Sequence, residues 1–174
     1  MRNRYSSRIL AVDIRSRRFG YAIFETPAEL LDSGTARLAS PQRAAVRISG
    51  LCRVFRPSLL VLRKESVRRR RSYPRTNAVR RAIRKEATRR STAIATLEGR
   101  AVNNWLRQHG STDKYGNALF LANLFPELSW KLPPRRKLWQ PEPWSLCLFD
   151  AVALGLVFVH TYPRESHAGL RVLN

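Results

Sequence analysis

At 174 residues the chain has room for one well-packed domain and too little for two ordinary ones, and a hydrophobic content of 44% excludes a disordered basic tail. Its 33 Lys and Arg against 12 Asp and Glu leave a net charge of +21, which calls for a polyanion. Nucleic acid is the first candidate; an anionic membrane surface and an acidic protein come after it.

The first run, about 8–14, is apolar up to Asp13, and a basic turn leads to a second run of β-formers, about 19–25, entered through Gly20. This predicts a β-hairpin. Asp13 is the odd residue, because an acid among buried neighbours must be paired, metal-bound or neutral. Alone it reads equally well as an acid capping the turn. Glu29 to Leu38 gives a third strand, with a bulge or bend at Asp32-Ser33-Gly34. Ser40-Pro41 starts a helix in which Ala44, Ile48, Leu51, Cys52 and Phe55 share a face, and Pro57 ends it. Leu59 to Leu62 reads as a strand buried on both faces.

From Arg63 to Arg90 there are 13 Lys and Arg and 2 Glu, a net of +11. A mobile basic loop over 66–76, with Arg68, Arg69, Arg70 and Arg71, precedes a helix from Asn77 to Arg90. That helix turns Val79, Ala82, Ile83 and Ala87 inward and Arg80, Arg81, Arg84, Lys85 and Arg89 outward. The density of these arginines on one side points to phosphate contact, which suits the bidentate guanidinium. Thr92 to Leu97 is a fifth strand and Gly99 to Gln108 a short helix. Gly110-Ser111-Thr112 caps another helix, with Ala118, Leu119, Ala122 and Phe125 on one face. Pro143 opens a final apolar helix to about His160, and a frayed tail covers 161–174.

That last helix is too short for a membrane span and carries Asp150 at its middle, so it reads as a core helix. Cys52 and Cys147 read as buried thiols in a reducing compartment, and with no signal peptide the expected location is cytoplasmic, beside nucleoid or RNA. His109, His160 and His167 lack metal-ligand spacing and read as surface or helix-end residues. Tyr73, Trp105, Trp130 and Trp139 could stack on bases, although tryptophans beside apolar helices are more often core.

The order β-β-β-α-β-α-β-α…α argues for a mixed sheet with helices on both sides. It resembles the ribonuclease H-like fold: an α/β single domain over 1–174 with a mixed five-stranded sheet. Asp13 with Ser16, Gly20 and Tyr21 is similar to the first-strand motif of RuvC-type Holliday-junction resolvases and their YqgF relatives. Phe55-Arg56-Pro57 resembles the lead into their fourth strand, Ser111-Thr112-Asp113-Lys114 a stretch after their fifth, and Asp150-Ala151-Val152-Ala153-Leu154 their last helix.

The resemblance implies a metal-dependent nuclease acting on branched DNA or structured RNA. Asp13 and Asp150 would be ligands to Mg²⁺ or Mn²⁺, with Glu142 and Glu65 as further catalytic candidates, Lys114 as a backbone contact and a homodimer as the assembly. Three positions depart from the pattern. Arg63 stands where the family places a Glu, Cys147 where it places an acid three before the last-helix Asp, and Arg15 where Gly is usual. Arg63 beside Asp13 could take the place of a metal, so the alternative is a nucleic-acid-binding protein that has lost catalysis. A basic structural partner of ribosomal or nucleoid nucleic acid is a third reading. The actin-like ATPases and sugar kinases share an Asp and a Gly in a first hairpin, but they need a second such domain and Gly-rich phosphate loops absent here.

Overall fold

Strand alternation decides which residues meet. A computed structural model describes residues 8–25, 29–64, 74–111, 113–137 and 139–162. In it β1 (Arg8–Ile14), β2 (Arg18–Glu25), β3 (Glu29–Arg37), β4 (Leu59–Lys64) and β5 (Ala93–Glu98) form one sheet in the order β3-β2-β1-β4-β5. The first three strands are an antiparallel meander, and β1, β4 and β5 run parallel. The five strands fall within a few residues of the sequence expectation. The irregularity in β3 comes one residue earlier than expected: Ile23 faces Asp32 and Phe24 faces Leu30, leaving Leu31 as the extra residue.

Side chains on successive strand residues point to opposite faces. Leu10, Val12 and Ile14 of β1 therefore pack with Leu60 and Leu62 beneath α1 (Pro41–Phe55) and α2 (Pro74–Arg89). Ile9 and Ala11 pack with Leu59, Val61 and Phe24 on the other face, beneath α3 (Gly99–Gln108), α4 (Lys114–Leu124) and α5 (Leu146–Thr161). Asp13, Arg15 and Arg63 have the parity of Ile9, Ala11 and Val61, and so belong to the α5 face.

Several boundaries differ from expectation. α2 begins at Pro74, so residues 74–76 are helical rather than loop, because proline is well placed in a first helical turn. α4 is capped by Asp113, whose side chain accepts from the Gly116 amide at 2.6 Å. It buries Leu121 with Ala118 and Ala122 and leaves Leu119 exposed. α5 starts at Leu146, not Pro143, so Glu142 stands outside it. Residues 65–73, which include Glu65, Arg68, Arg69, Arg70, Arg71 and Tyr73, lie outside the described residues, as does the tail from 163.

α5 is buried over nearly its whole length, as a sequence apolar all round apart from Asp150 and its last turn requires. Two glycines let it approach the sheet. A Cβ on Gly155 would come 2.4 Å from the Phe24 ring, and a Cβ on Gly20 would come 1.9 Å from the Cys147 carbonyl oxygen. No helix among the described residues is long and apolar enough to cross a membrane.

Candidate functional site

Asp13 ends the buried part of β1 and is 1% exposed. The register that sets Val12 opposite Leu62 puts the next pair, Asp13 and Arg63, side by side. The close seat of α5 on Gly20 brings the first turns of that helix over the same end of the sheet, and with them Cys147 and Asp150. Two carboxylates from opposite ends of the sequence thus face each other.

Two guanidinium groups hold them together. Arg15 Nε donates to Asp13 Oδ2 at 3.0 Å, and its Nη2 donates to Asp150 Oδ2. Arg63 Nε lies 3.0 Å from Asp13 Oδ1, and its Nη2 is 3.9 Å from Asp150 Oδ1. The Arg63 contact is an ion pair rather than a hydrogen bond, since its buried Nε–H is not aligned with an acceptor. Arg63 is held from behind as well: its carbonyl accepts from Arg80 Nη1 at 2.6 Å, and its guanidinium lies against Gly99, where a Cβ would be 3.1 Å from Nη1. Every oxygen of the two carboxylates faces a guanidinium nitrogen.

The electrostatics follow from burial. Burial pushes the Asp150 carboxyl above its ordinary value; Arg15, Arg63 and Lys114 pull it down, and Asp13 adds to the upward push. Burial works against the charge on Arg15, but Asp13 and Asp150 outweigh it and its pKa rises. Cys147 lies one helical turn before Asp150, with Sγ 3.8 Å from the Asp13 carbonyl oxygen. Burial, then the two nearby carboxylates, pushes its thiol up to about 12, so it stays neutral near pH 7.

The described residues do not fit a divalent cation. They contain no group of three His, Cys, Asp or Glu side chains able to hold one, and guanidinium groups already lie beside both carboxylates. The crevice beside Asp150 that Arg63, Lys114 and Asn117 line has a volume of about 10 Å³. That is the space of one water, whereas Mg²⁺ usually retains several. Glu142 does not join the pair; its carboxylate meets Lys114 Nζ at 2.5 Å.

The nominated basic residues divide. Arg80, Arg81 and Arg84 line one cleft of about 430 Å³ with Arg63, Lys64, Asn77 and Thr96, at the same end of the sheet as the carboxylates. Lys85 is exposed on α2, and Lys114 stands between Glu142 and the crevice beside Asp150. Trp130, Trp139 and Trp144 are 80%, 78% and 60% exposed, so the core reading fails for the first two and Trp144 joins them. They sit on the connection between α4 and α5, Trp130 in its 3-10 turn Pro126–Lys131, each near a cation: Lys131, Lys137 and Arg18 respectively. Trp105 is half-buried and stacks on His109 with ring centroids 3.8 Å apart. Arg15 is the site residue to which the sequence alone assigns no role. Its signal is the spacing, because two residues after Asp13 on one strand means the same face.

Comparison with solved structures places the fold. The chain is similar to Thermus thermophilus RuvC, with a TM-score of 0.65, 18% identity and coverage of 91% of this chain and 96% of that one. T. thermophilus RuvC in complex with a Holliday junction substrate gives 0.63 at 16% identity, covering 88% and 95%. The yeast mitochondrial Holliday junction resolvase Ydc2 gives 0.61 at 13%, covering 95% and 85%. No protein-family model matches the sequence, and no curated protein does. The chain has the RuvC-like form of the ribonuclease H-like fold.

Proposed function

We propose that this protein binds structured nucleic acid through its phosphate backbone and does not hydrolyse it at the Asp13–Asp150 pair. The observation that carries this reading is the double guanidinium bridge, in which Arg15 and Arg63 each reach both carboxylates. Two cations already held against the pair offset its charge and repel a metal ion that would activate water. The net charge of +21 and the arginine-lined cleft beside the pair support a polyanionic ligand. The fold shared with a resolvase solved on a Holliday junction favours branched DNA as the first ligand to try, with RNA hairpins as the second.

The test is paired. Four-way junctions, flaps and RNA hairpins are incubated with Mg²⁺ or Mn²⁺, and binding of the same substrates is followed against salt. Tight, salt-sensitive binding without cleavage is the expected result. Metal-dependent cleavage that Asp13→Asn abolishes would overturn it and restore the nuclease reading. Arg63→Glu supplies the carboxylate that the resemblance places there. Calorimetric titration with Mn²⁺ should then report binding that the unaltered protein lacks, and an unchanged titration would show that Arg63 is not what bars the cation.

A further inference from the structure

The sheet end that carries the carboxylates has a second arginine cluster, apart from the cleft lined by Arg80, Arg81 and Arg84. Arg17 sits in the β1–β2 turn, Arg37 ends β3, Arg43 is in the first turn of α1, and Arg75 is in the first turn of α2. With Leu38 and Ala39 they line a cleft of about 580 Å³. Among the described residues no acidic side chain lines it, and none of the four arginines makes an ion pair.

Four guanidinium groups around one cleft repel each other, yet the backbone fixes the elements that bear them. The Leu38 amide donates to the Arg17 carbonyl at 2.9 Å. Arg75 Nη2 donates to the Leu38 and Ala39 carbonyls at 2.7 and 2.8 Å, which pins α2 to the β3–α1 connection. Ser40 caps α1 through the Arg43 amide, and the first turn of that helix carries no acid, so its positive end adds to the same field. The cluster is a prearranged anion site whose charge nothing within it offsets.

We infer that this cleft is a second binding site for nucleic-acid backbone phosphates, on the other side of α2 from the Arg80 cleft. At 3.6 residues per turn, Arg75 is separated from Arg80, Arg81 and Arg84 by about 120–180° around the helix axis. Two separate stretches of backbone would therefore flank α2. This rests on the nucleic-acid reading above and assigns to it four residues outside the Arg80 cleft.

The test uses a fluorescein-labelled four-way junction and anisotropy at several salt concentrations. In Arg17→Gln/Arg37→Gln/Arg43→Gln, the slope of log K against log salt should fall by about 0.9 for each phosphate no longer neutralised, or about 2.7 in all. The three side chains are exposed, so the melting temperature should hold and exclude misfolding as the cause. An unchanged slope, while Arg80→Gln/Arg81→Gln/Arg84→Gln lowers it, would overturn the second site and leave the nucleic-acid reading standing. Failure of the unaltered protein to bind the junction or an RNA hairpin in a salt-dependent way would sink both. A free-anion site is separated by competition: inorganic phosphate should release the junction no better than chloride at equal ionic strength, and a larger release would overturn the backbone assignment.

Discussion

Two acid–arginine groups in this molecule have similar parts and opposite behaviour. At one end of the sheet Asp13 and Asp150 share Arg15 and Arg63. Between α1 and α2, Glu86 takes bonds from Arg89 at 3.0 and 2.9 Å and from Arg90 at 2.7 Å, and Arg90 also reaches Ser49. The bonds from Arg89, then those from Arg90 and Ser49, draw Glu86 down to about 2 against a modest cost of burial. Asp150 moves the other way, because there burial outweighs two guanidinium groups. An arginine partner thus does not fix the sign of a carboxylate's shift: the Glu86 side chain is no more exposed than that of Asp150, 12% against 16%, but a second carboxylate, Asp13, adds to the burial penalty only at Asp150. The deep group joins β1, β4 and α5 and uses its charges up internally, whereas the shallow one leaves Arg89 mostly in solvent.

The sharpest way to break this contrast is to remove one deep guanidinium. Breaking a buried pair costs about 3–5 kcal/mol, since the remaining charge is left without compensation. Arg63→Ala should lie near the lower end, about 3 kcal/mol, because Arg15 still holds Asp13. The measurement is the urea midpoint at unchanged m-value. A loss under about 1 kcal/mol would place the deep group with ordinary surface pairs.

A gentler break leaves every charge in place and moves the helix. A Cβ on Gly20 would overlap the Cys147 carbonyl, a backbone atom that yields only if α5 lifts. Overpacking of this kind costs about 1–3 kcal/mol. For a chain of this size about 2 kcal/mol in Gly20→Ala is a fall of roughly 4–8 °C in the thermal midpoint. The same displacement should loosen the Arg15–Asp150 bond and allow the Cys147 thiol to react faster with an alkylating reagent. A Gly20→Ala protein with the original midpoint and thiol reactivity would show that the helix seat is not fixed there.

Much of this is legible in the sequence, because the fold is written in short-range patterns. Apolar runs mark β1, β2 and β4, and Ser40-Pro41 and Pro57 bracket α1 correctly. The pairing of Asp13 with Arg63 is legible too, since both belong to neighbouring parallel strands. What the sequence hides is set by tertiary contact. Whether Asp150 faces Asp13 depends on a helix seated by Gly20 and Gly155, whose absent side chains leave no periodic signal. Arg15 reads only as a missing glycine, and its reach to both acids appears once α5 is in place. The tryptophans mislead for a related reason: Trp139 and Trp144 sit on proline-rich irregular backbone, and Trp130 on a short 3-10 helix, Pro126–Lys131, that buries Leu128 and turns the tryptophan outward.

The smallest effect should come from the shallow group, and its pH dependence separates it from the deep one. Glu86 titrates near 2 when folded against an ordinary value of 4.5. A lowered carboxyl pKa contributes stability that is present above the ordinary value and lost as pH falls through the folded one. Glu86→Gln should therefore cost about 0.5–1 kcal/mol at pH 7, the size of a pair with an exposed arginine, and only a small part of that at pH 2. Asp150 has the opposite sign: its raised pKa favours the folded state at low pH, an advantage lost as pH rises from the ordinary 3.8 through the folded value. Urea midpoints of the two proteins at pH 2, 3, 4.5 and 7 measure the difference. Convergence toward pH 2 is the expected outcome. A gap constant with pH would mean that Glu86 acts by packing between α1 and α2, and that its arginine partners do not set it apart from Asp150.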